Sequence, residues 1–483
     1  MSALFNALVQ QPTAFTHNGM ATLATSGNDL LDLFGIIGNR NFSFEDNLAK
    51  IKMLFETDPV SLGRLFLWSR DCRGGAGHRD PIRKLILLTE NKNVKFSLAL
   101  AARLPELGYY KDLIYLYSKS NNPDLKQGIM DLFIIELSNA LKEKRFSLLA
   151  KYLPRKGDLA VQFRNELKLS PKTYRKVLVQ LSKTVEQQMC AKDWENINFE
   201  HVPSIAMMRY RKAFERHGAN FQKFQEDVAS GKVKLNSSQL TPGEIVNKAL
   251  ATSSRDETQQ LYFTNAWNSL PDYLEGSNER WLPVIDVSGS MTCSAGKNTG
   301  LRCLDVAIGL GLYLAERNNG IFKNQFITFS SNPSIVDLKN RKFATLKDKL
   351  SYIENANWCM DTDIEKVFNL VLKTAVANNL PESDMPTKVV IFSDMEMNQC
   401  TNVNERLLQM IENKYKVVGY KMPQLVFWNL QGRSGNMTVN LNDNGACQVS
   451  GYTTSIMKNL TRLEQYTPLS VMMETIGSER YNF

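Results

Sequence analysis

The amino-acid pattern changes near Trp281, and this change constrains the fold more than any other feature of the chain. Up to about residue 270, apolar residues recur three and four positions apart, and turns rich in glycine, proline and asparagine separate the segments. After it, short apolar runs alternate with amphipathic segments, as is typical of a parallel sheet with helices on both faces. We therefore predict an all-helical domain over residues 1–275 and an α/β domain over residues 281–483.

The sequence pattern leaves two architectures open for the helical part, whereas it predicts individual strands and helices in the α/β part. The 483 residues exceed what one hydrophobic core usually holds. The helical part predicts either a bundle or an α-solenoid of stacked helix pairs, because short turns join its segments. In the second part, helices are predicted at 301–316 and 362–377. Predicted strands there are 282–286, 325–329, 388–392, 416–420 and 425–428.

A D-x-S-x-S motif follows the first predicted strand of the α/β part. Alternation places Asp286, Ser288 and Ser290 along one side of the loop at the strand end. One carboxylate and two hydroxyls would then face a common centre, and such oxygen ligands suit Mg²⁺ or Mn²⁺. Ligands of open α/β sheets bind outside the carboxyl ends of the strands. The motif therefore indicates a divalent-cation site, although a surface turn would show the same three residues.

Positive charge is concentrated in the helical part. The net charge is +9, yet residues 281–483 hold 20 basic and 19 acidic residues. The window 142–183 alone holds 12 basic and 3 acidic residues. Such a stretch suits a nucleic-acid backbone, whereas a solvated helix face is the simpler alternative. The candidate RNA contacts of this window are Lys151, Arg155, Lys156, Lys172, Arg175 and Lys176.

A glycine-rich segment over residues 70–80 is a second candidate anion site. Glycine lets backbone amides approach an anion, and arginine binds phosphate through two parallel N–H groups. The alternative is an ordinary turn between helices whose arginines pair with Asp71 and Asp80. Tyrosines over residues 109–117 would stack on bases or lie at the edge of the helical core. The candidate RNA contacts of the glycine-rich segment are Arg70, Arg73 and Arg79.

The D-x-S-x-S loop resembles the metal-ion-dependent adhesion site of von Willebrand factor A domains. Those domains carry a threonine on a second loop and an aspartate on a third. Here Thr362 stands at a predicted helix start and Asp394 at a predicted strand end. The resemblance implies direct ligation by Ser288 and Ser290. For Asp286, Thr362 and Asp394 it implies a direct or water-mediated role, and it leaves a sixth position for water or a partner's carboxylate.

Two positions depart from the pattern of that family. Asp361 stands where glycine usually precedes the threonine, and the third loop reads Ser-Asp-Met-Glu over residues 393–396 in place of Asp-Gly. Asp361 and Glu396 add negative charge, which would change the metal preference or the choice of partner.

Segments along the whole chain together resemble the Ro autoantigen (TROVE) type of protein, in particular relatives that carry a C-terminal von Willebrand A domain. The matching segments are 24–34, 70–79, 105–113, 149–154, 174–176, 202–204, 393–395 and 426–430. The resemblance implies a ring of HEAT-like helical repeats closed by a doubly wound, Rossmann-like A domain. It also implies a ribonucleoprotein that binds non-coding or misfolded RNA on a basic surface and in a central hole.

Several classes of protein are disfavoured. All four histidines precede residue 281, so the α/β part cannot assemble a histidine-based triad, and no P-loop or dinucleotide motif occurs. A metal-dependent nuclease is the enzymatic alternative that remains. Seven scattered cysteines without a C-x-x-C pair favour a reduced compartment. With no signal-peptide pattern and no apolar run of membrane-spanning length, we expect a cytoplasmic protein without a membrane partner, or alternatively a component of a virion or other assembly.

These observations favour a non-catalytic, Ro-like RNA-binding protein. Its expected partner is structured or non-coding RNA, and its expected cofactor is Mg²⁺, with Mn²⁺ or Ca²⁺ as alternatives. The metal site would recruit a protein partner. The competing hypothesis is a protein-interaction or structural module, for example of a virion, whose metal grips a partner carboxylate and whose basic window faces an acidic subunit.

Overall fold

The chain forms two compact units, each built from distant parts of the sequence. A computed structural model describes residues 13–182, 184–218, 220–237, 239–296, 299–319, 321–329, 333–355, 363–398, 406–432, 436–463 and 466–483. The first unit, here called the sheet unit, comprises Met1–Leu62 and Ser237–Ser478. The second, here called the helical unit, comprises Gly63–Asn236 and Glu479–Phe483. This grouping by contacts cuts the chain at different places from the boundary between residues 275 and 281 that the sequence predicts.

Eight strands occur in the described residues. They are β1 Thr13–Phe15, β2 Ala21–Leu23, β3 Trp281–Asp286, β4 Gln325–Phe329, β5 Ser334–Asp337, β6 Lys388–Ser393, β7 Gln424–Asn429 and β8 Ala446–Ser450. Strands β1 and β2 form an antiparallel hairpin, and the other six form one sheet in the order β5-β4-β3-β6-β7-β8. Its pairs are parallel except for β4 with β5. Strand order reverses between β3 and β6, which is the switch point of a doubly wound sheet.

The sheet unit combines the six-stranded sheet with helices from both of its sequence segments. They are α1 Asp29–Ile37, α2 Leu48–Thr57, α14 Pro242–Leu250, α15 Glu257–Asn268, α16 Cys303–Arg317, α17 Leu346–Glu354, α18 Ile364–Ala377, α19 Leu407–Val418, α20 Met457–Leu460 and α21 Pro468–Ile476. Helices α18 and α19 bury apolar side chains against one face of β3, β6 and β7. On the other face α16 approaches so closely that a Cβ on Gly311 would lie 2.3 Å from the Ile285 side chain. Both faces of the central strands are covered, which explains why all residues of β3 and β6 are buried.

Residues near the N-terminus complete the sheet unit. Helix α1 packs on β8, where the Gly38 amide donates to the Ser450 hydroxyl at 3.0 Å and that hydroxyl donates to the Phe34 carbonyl at 3.1 Å. Helix α14 packs on α16 through glycines, since a Cβ on Gly309 would lie 2.6 Å from the Gly243 amide nitrogen. These contacts draw segments of the predicted helical domain into the sheet unit.

The helical unit consists of short helices that contact near neighbours in sequence. Its helices are α3 Pro59–Arg70 (which begins in the sheet unit), α4 Asp80–Thr89, α5 Val94–Leu107, α6 Tyr110–Lys119, α7 Pro123–Lys142, α8 Leu148–Tyr152, α9 Asp158–Glu166, α10 Pro171–Leu181, α11 Val185–Cys190, α12 Ser204–His217 and α13 Phe221–Ala229. Helix α5 contacts α4, α6 and α7, and α8 contacts α6, α7 and α10. Aromatic rings fill the core between them, as where Phe163 packs against Tyr117 and Phe133 with centroids 4.8 and 5.5 Å apart.

The coarse prediction of a helix-rich first part and a C-terminal α/β part is confirmed. The first part is not all-helical, however, because it contains the β1–β2 hairpin, and one predicted strand of the second part is wrong. Residues 416–420, predicted as a strand, end helix α19, and Gly419 closes that helix in the left-handed conformation at φ 79°. Their β-branched residues misled the prediction, since Val417 is 84% exposed on the helix surface. Strand β8 escaped prediction because its residues, Ala-Cys-Gln-Val-Ser, are small or polar although all are buried.

Within the described residues, no helix combines the length and the apolar character needed to cross a lipid bilayer.

Candidate functional site

The predicted metal loop begins where β3 and β6 end side by side. The Asp286 carboxylate accepts hydrogen bonds from the Ser288 amide at 2.9 Å and from the Ser393 hydroxyl at 2.6 Å. The Ser288 and Ser290 hydroxyl oxygens are 3.0 Å apart. Asp394 follows β6 and accepts from the Glu396 amide at 3.1 Å. The structure thus brings Asp286, Ser288, Ser290 and Asp394 to one edge of the sheet, at the switch point.

Two of these groups are acids held out of water. Asp286 and Asp394 are 0% and 1% exposed, whereas the Ser290 side of the loop is open to solvent. Burial, together with the nearby negative charge of Asp394, raises the pKa of Asp286 to about 7. Folding gains nothing from two buried acids that are both ionised, and a bound cation would offset the cost of that placement.

The donor set fits a small divalent cation. Adjacent ligands of an octahedral Mg²⁺, at about 2.1 Å from the metal, lie about 3.0 Å from each other. The separation of the Ser288 and Ser290 hydroxyl oxygens is the same, 3.0 Å. The oxygens of Asp286 are engaged by Ser288 and Ser393, which suits contact with a cation through water. Ser393 was missed by sequence reasoning, although it directly precedes Asp394 at the end of a predicted strand.

The predicted ligand set extends beyond the described residues. Thr362 and the neighbouring Asp361 lie outside the described residues. Among the residues that are described, no group of three or more His, Cys, Asp or Glu side chains is arranged around a common metal position. The predicted set does not require such a group, because it combines two carboxylates with hydroxyl oxygens.

Glu396, which the sequence predicts to add negative charge near the metal site, is engaged by the N-terminal hairpin. Its carboxylate accepts from the His17 amide at 2.6 Å and from the Asn436 side-chain amide at 3.2 Å. The turn of the hairpin adds a hydrogen bond from the Asn18 side chain to the Glu396 carbonyl at 2.6 Å. The hairpin therefore braces the third loop, a contact across 379 residues that local sequence patterns do not reveal.

In the glycine-rich segment, Arg70 is a core residue. Its side chain is 1% exposed and donates to Asp112 through Nε at 2.9 Å and Nη2 at 2.7 Å. Arg83 also donates to Asp112, at 2.8 Å. Since a buried guanidinium already held by a carboxylate has no face for phosphate, Arg70 is removed from the candidate RNA contacts.

The glycines and acids of this segment serve the turn itself. A Cβ on Gly75 would lie 2.0 Å from the Trp68 carbonyl oxygen, so only glycine fits there. Asp71, which in the alternative of an ordinary turn pairs with a local arginine, accepts from the distant Arg480 at 2.5 and 3.0 Å and from the Tyr481 hydroxyl at 3.2 Å. Arg73 is exposed and donates to the Glu106 carbonyl at 2.5 Å.

Several cations that are distant in sequence converge in the helical unit. We call them the Lys111 cluster: Arg79, Arg83, Lys111, Lys151 and Arg209. The Tyr152 ring lies in the cluster, with the Lys111 ammonium 4.8 Å and the Lys151 ammonium 5.8 Å from its centroid. Arg83 lies over the Tyr115 ring at 4.5 Å. The cluster joins the glycine-rich segment, the tyrosine segment and the basic window, which the sequence presents as three separate motifs.

The cations of the Lys111 cluster repel one another. Burial and the neighbouring cations, Arg79 foremost, lower the pKa of Lys111. In the described residues, the acids within ion-pair distance of the cluster are Asp112, Asp80 and Glu186. Asp112 is engaged by Arg70 and Arg83 and lies 3.9 Å from Arg79, Asp80 lies 3.9 Å from Arg83, and Glu186 accepts from Lys151 at 3.1 Å. Arg79, Lys111 and Arg209 are exposed. Like charges brought together at a surface cost stability, and they create the positive potential that attracts an anion.

The remaining candidates of the basic window lie on an exposed face. Helix α10 buries Tyr174, Leu178 and Leu181. Arg155 follows α8 and donates to the Ser182 hydroxyl at 2.9 Å. For the described part of the chain, no carboxylate lies within ion-pair distance of the exposed cations, which are Lys156, Lys172, Arg175 and Lys176. Sequence reasoning did not select Lys111, which has no basic residue beside it, or Arg209, which belongs to the short basic run over residues 209–212.

Comparison with known proteins matches two stretches of the chain to family models and most of its length to a viral protein. Residues 281–475 match a domain of unknown function (DUF7788), and residues 155–277 match another (DUF2828). The chain is also similar to the uncharacterized protein L728 of Acanthamoeba polyphaga mimivirus. The two are 25% identical, over 96% of this chain and 87% of the relative. The similarity therefore extends over both units and not over one domain alone.

Proposed function

We propose that this protein is a non-catalytic, Ro-like RNA-binding protein whose helical unit binds RNA phosphates. The observation that carries the proposal is the Lys111 cluster, which brings together cations of α4, α6, α8 and α12 and of the turn before α4. Two of them, Lys111 and Lys151, lie 4.8 and 5.8 Å from the centroid of the Tyr152 ring. Cations provide phosphate contacts, and an aromatic ring provides a stacking surface for a base. The exposed lysines and arginines of α10 would extend this surface to a longer strand.

We also propose that the sheet unit is an A-type domain that holds a divalent cation for recruiting a protein partner. The doubly wound strand order and the convergence of Asp286, Ser288, Ser290 and Asp394 at its switch point support this proposal. When bound, the cation would supply a coordination position for a carboxylate of the partner. The Ser288 and Ser290 hydroxyls would ligate it, and the two buried acids would neutralise its charge.

RNA binding is tested by filter-binding titrations of the full chain. The probe is a labelled single-stranded oligouridine of about 20 nucleotides, measured over a range of KCl concentrations. For the wild type we expect affinity to fall linearly on a log–log plot, because each neutralised phosphate releases counterions. Reversing Arg79, Lys111 and Arg209 to Glu removes three contacts. It should weaken binding about 100-fold at 0.1 M salt and reduce the slope by about 2.

A matched variant controls for the change in overall charge. Lys323, Lys342 and Lys373 are exposed lysines of the sheet unit, and their reversal to Glu changes the net charge equally. Equal loss of binding in both triple variants would contradict a specific role for the Lys111 cluster. A stoichiometric protein partner co-purifying without nuclease-sensitive absorbance at 260 nm would favour the competing structural or interaction module. Mg²⁺-dependent RNA cleavage lost in Asp286→Asn would favour a nuclease.

A further inference from the structure

Two cysteines lie together directly beyond the metal loop. Cys293 follows the 3-10 turn Gly289–Thr292, three residues after Ser290, and Cys303 is the first residue of α16. Their sulfur atoms are 3.4 Å apart. The proposed RNA and metal sites do not use this pair.

The backbone around the two cysteines has the register of a short antiparallel ladder. Ser294 and Arg302 form an antiparallel bridge. The Cys303 amide donates to the Cys293 carbonyl at 3.0 Å, and the Ala295 amide donates to the Leu301 carbonyl at 2.8 Å. Cys293 and Cys303 are therefore directly opposite each other. Such hydrogen-bonded pairs have Cα atoms about 5.5 Å apart, which lies within the range that a disulfide spans.

We propose that Cys293 and Cys303 are a redox-reversible pair that closes to a disulfide. The two thiols require no rearrangement of the chain, because they already lie on opposed backbone positions with their sulfur atoms in contact. The disulfide would link the end of the metal loop to the start of α16. It is a modification site that goes beyond the proposed function and does not depend on it.

The difference in exposure assigns the roles of the two thiols. Cys293 is partly exposed, whereas Cys303 is buried. With hydrogen peroxide as oxidant, Cys293 attacks one peroxide oxygen, the O–O bond breaks, and a sulfenic acid and water form. Cys303 then attacks that sulfur and expels the second water. In total two thiols and one peroxide give one disulfide and two waters. A dithiol reductant reverses the change by thiol–disulfide exchange.

Oxidation also changes a third loop at the same edge of the sheet. The side-chain oxygen of Gln431, which follows β7, lies 3.5 Å from the Cys293 sulfur and 3.3 Å from the Cys303 sulfur. It accepts a further hydrogen bond from Asn41 at 3.0 Å. Both thiol donors are lost in the disulfide, so Gln431 keeps only its contact with Asn41 among these three. Formation of the disulfide in the loop after β3 thereby changes the hydrogen bonds of the loop after β7.

The test uses the reduced full chain treated with hydrogen peroxide and then blocked with N-ethylmaleimide. Trypsin cleaves after Lys297 and Arg302, so the two cysteines fall on separate peptides that only a disulfide can join. Mass spectrometry without reduction should detect these two peptides linked. The linkage should disappear on treatment with dithiothreitol, with recovery of two thiols per chain.

Three serine variants separate this pair from the other thiols. Cys303→Ser and the partly exposed Cys293→Ser should each abolish the linkage, and the second keeps the test valid if the buried substitution unfolds the sheet unit. Cys190 is exposed in the helical unit, so Cys190→Ser is the matched control and should retain the linkage. Absence of the linked peptides from the oxidised wild type would overturn the proposal. So would attachment of Cys293 to a different cysteine under the same conditions.

Discussion

The two candidate sites of this protein are opposite in charge and in construction. The metal loop places two acids in the interior at the end of adjacent strands, and three of its residues lie within five positions of sequence. The Lys111 cluster brings together cations from segments up to 130 residues apart in sequence, and three of them, Arg79, Lys111 and Arg209, are exposed. In both, like charges converge where folding alone gains nothing, and this shared cost is the reason we propose a binding site in each unit.

Charges that are paired in the core have a structural role and do not indicate a binding site. Arg70 and Asp112 are as charged as any residue of the two sites, but they lie in the core and satisfy each other. Their role is structural, so charge by itself does not separate a binding residue from a stabilising one. The following predictions test that distinction.

The largest effect is expected from Asp112→Asn. Arg70 and Arg83 both donate to this buried carboxylate, and loss of its charge leaves the interior guanidinium of Arg70 uncompensated. Breaking a buried ion pair costs about 3–5 kcal/mol. The free energy of unfolding measured in urea should fall by that amount, and amide hydrogen exchange should become faster in helices α4 to α7. Asp80→Asn is the control, since the Asp80 side chain is 72% exposed and its loss should leave stability nearly unchanged.

Cation binding to the sheet unit should have the next largest effect. A ligand at 100 times its Kd stabilises the folded state by about 2.7 kcal/mol, so MgCl₂ should raise the urea midpoint of the wild type. The double variant Ser288→Ala, Ser290→Ala should lose most of this stabilisation and the heat of Mg²⁺ binding in calorimetry. Ser383→Ala, an exposed serine that precedes β6 at the other end of the sheet, should behave as the wild type. An unchanged Mg²⁺ response in the double variant would remove the two hydroxyls from the ligand set.

Lys111→Ala should weaken RNA binding without weakening the fold. Removing one phosphate contact reduces affinity for a single strand about 5-fold at 0.1 M salt and the slope by about 0.7. The other cations of the cluster repel Lys111, so the free energy of unfolding should remain constant or rise. Lys373→Ala in the sheet unit provides the control in both measurements. A loss of stability together with unchanged RNA binding would show that Lys111 is structural, like Arg70.

The smallest effect concerns an ordinary ion pair near the basic window. Burial favours the neutral form of Glu136, but hydrogen bonds from Arg145 and Ser147 outweigh it and lower its pKa from the ordinary 4.5. Stability from this pair is therefore present above pH 4.5 and is lost as pH falls through the lower folded-state pKa. The difference in unfolding free energy between wild type and Glu136→Gln should be below about 1 kcal/mol at pH 6. It should shrink as the pH is lowered towards 3, and a difference that grew on acidification would contradict the assignment.

Prediction from sequence succeeded where the chemistry was local. The strands ending at Asp286 and Ser393 are continuous apolar runs, and the run over residues 325–329 matches β4 residue for residue. It failed at residues 416–420, because β-branched residues on the exposed face of a helix resemble a strand. Prediction from sequence also selected Arg70 wrongly, because a sequence does not distinguish a buried arginine from an exposed one. Only the fold shows that Arg70 is buried against Asp112.

By itself the sequence determined the division into helical and α/β parts and the acid–hydroxyl pattern of the metal loop, because both depend on residues close together in the chain. The tertiary structure alone decided which cations converge around Lys111 and which arginine is interior. It also decided that Cys293 and Cys303 are opposed and that the hairpin after residue 12 braces Glu396. The physical reason is that electrostatic and packing energies depend on distance in space, and segments far apart in sequence become neighbours only when the core between them is formed.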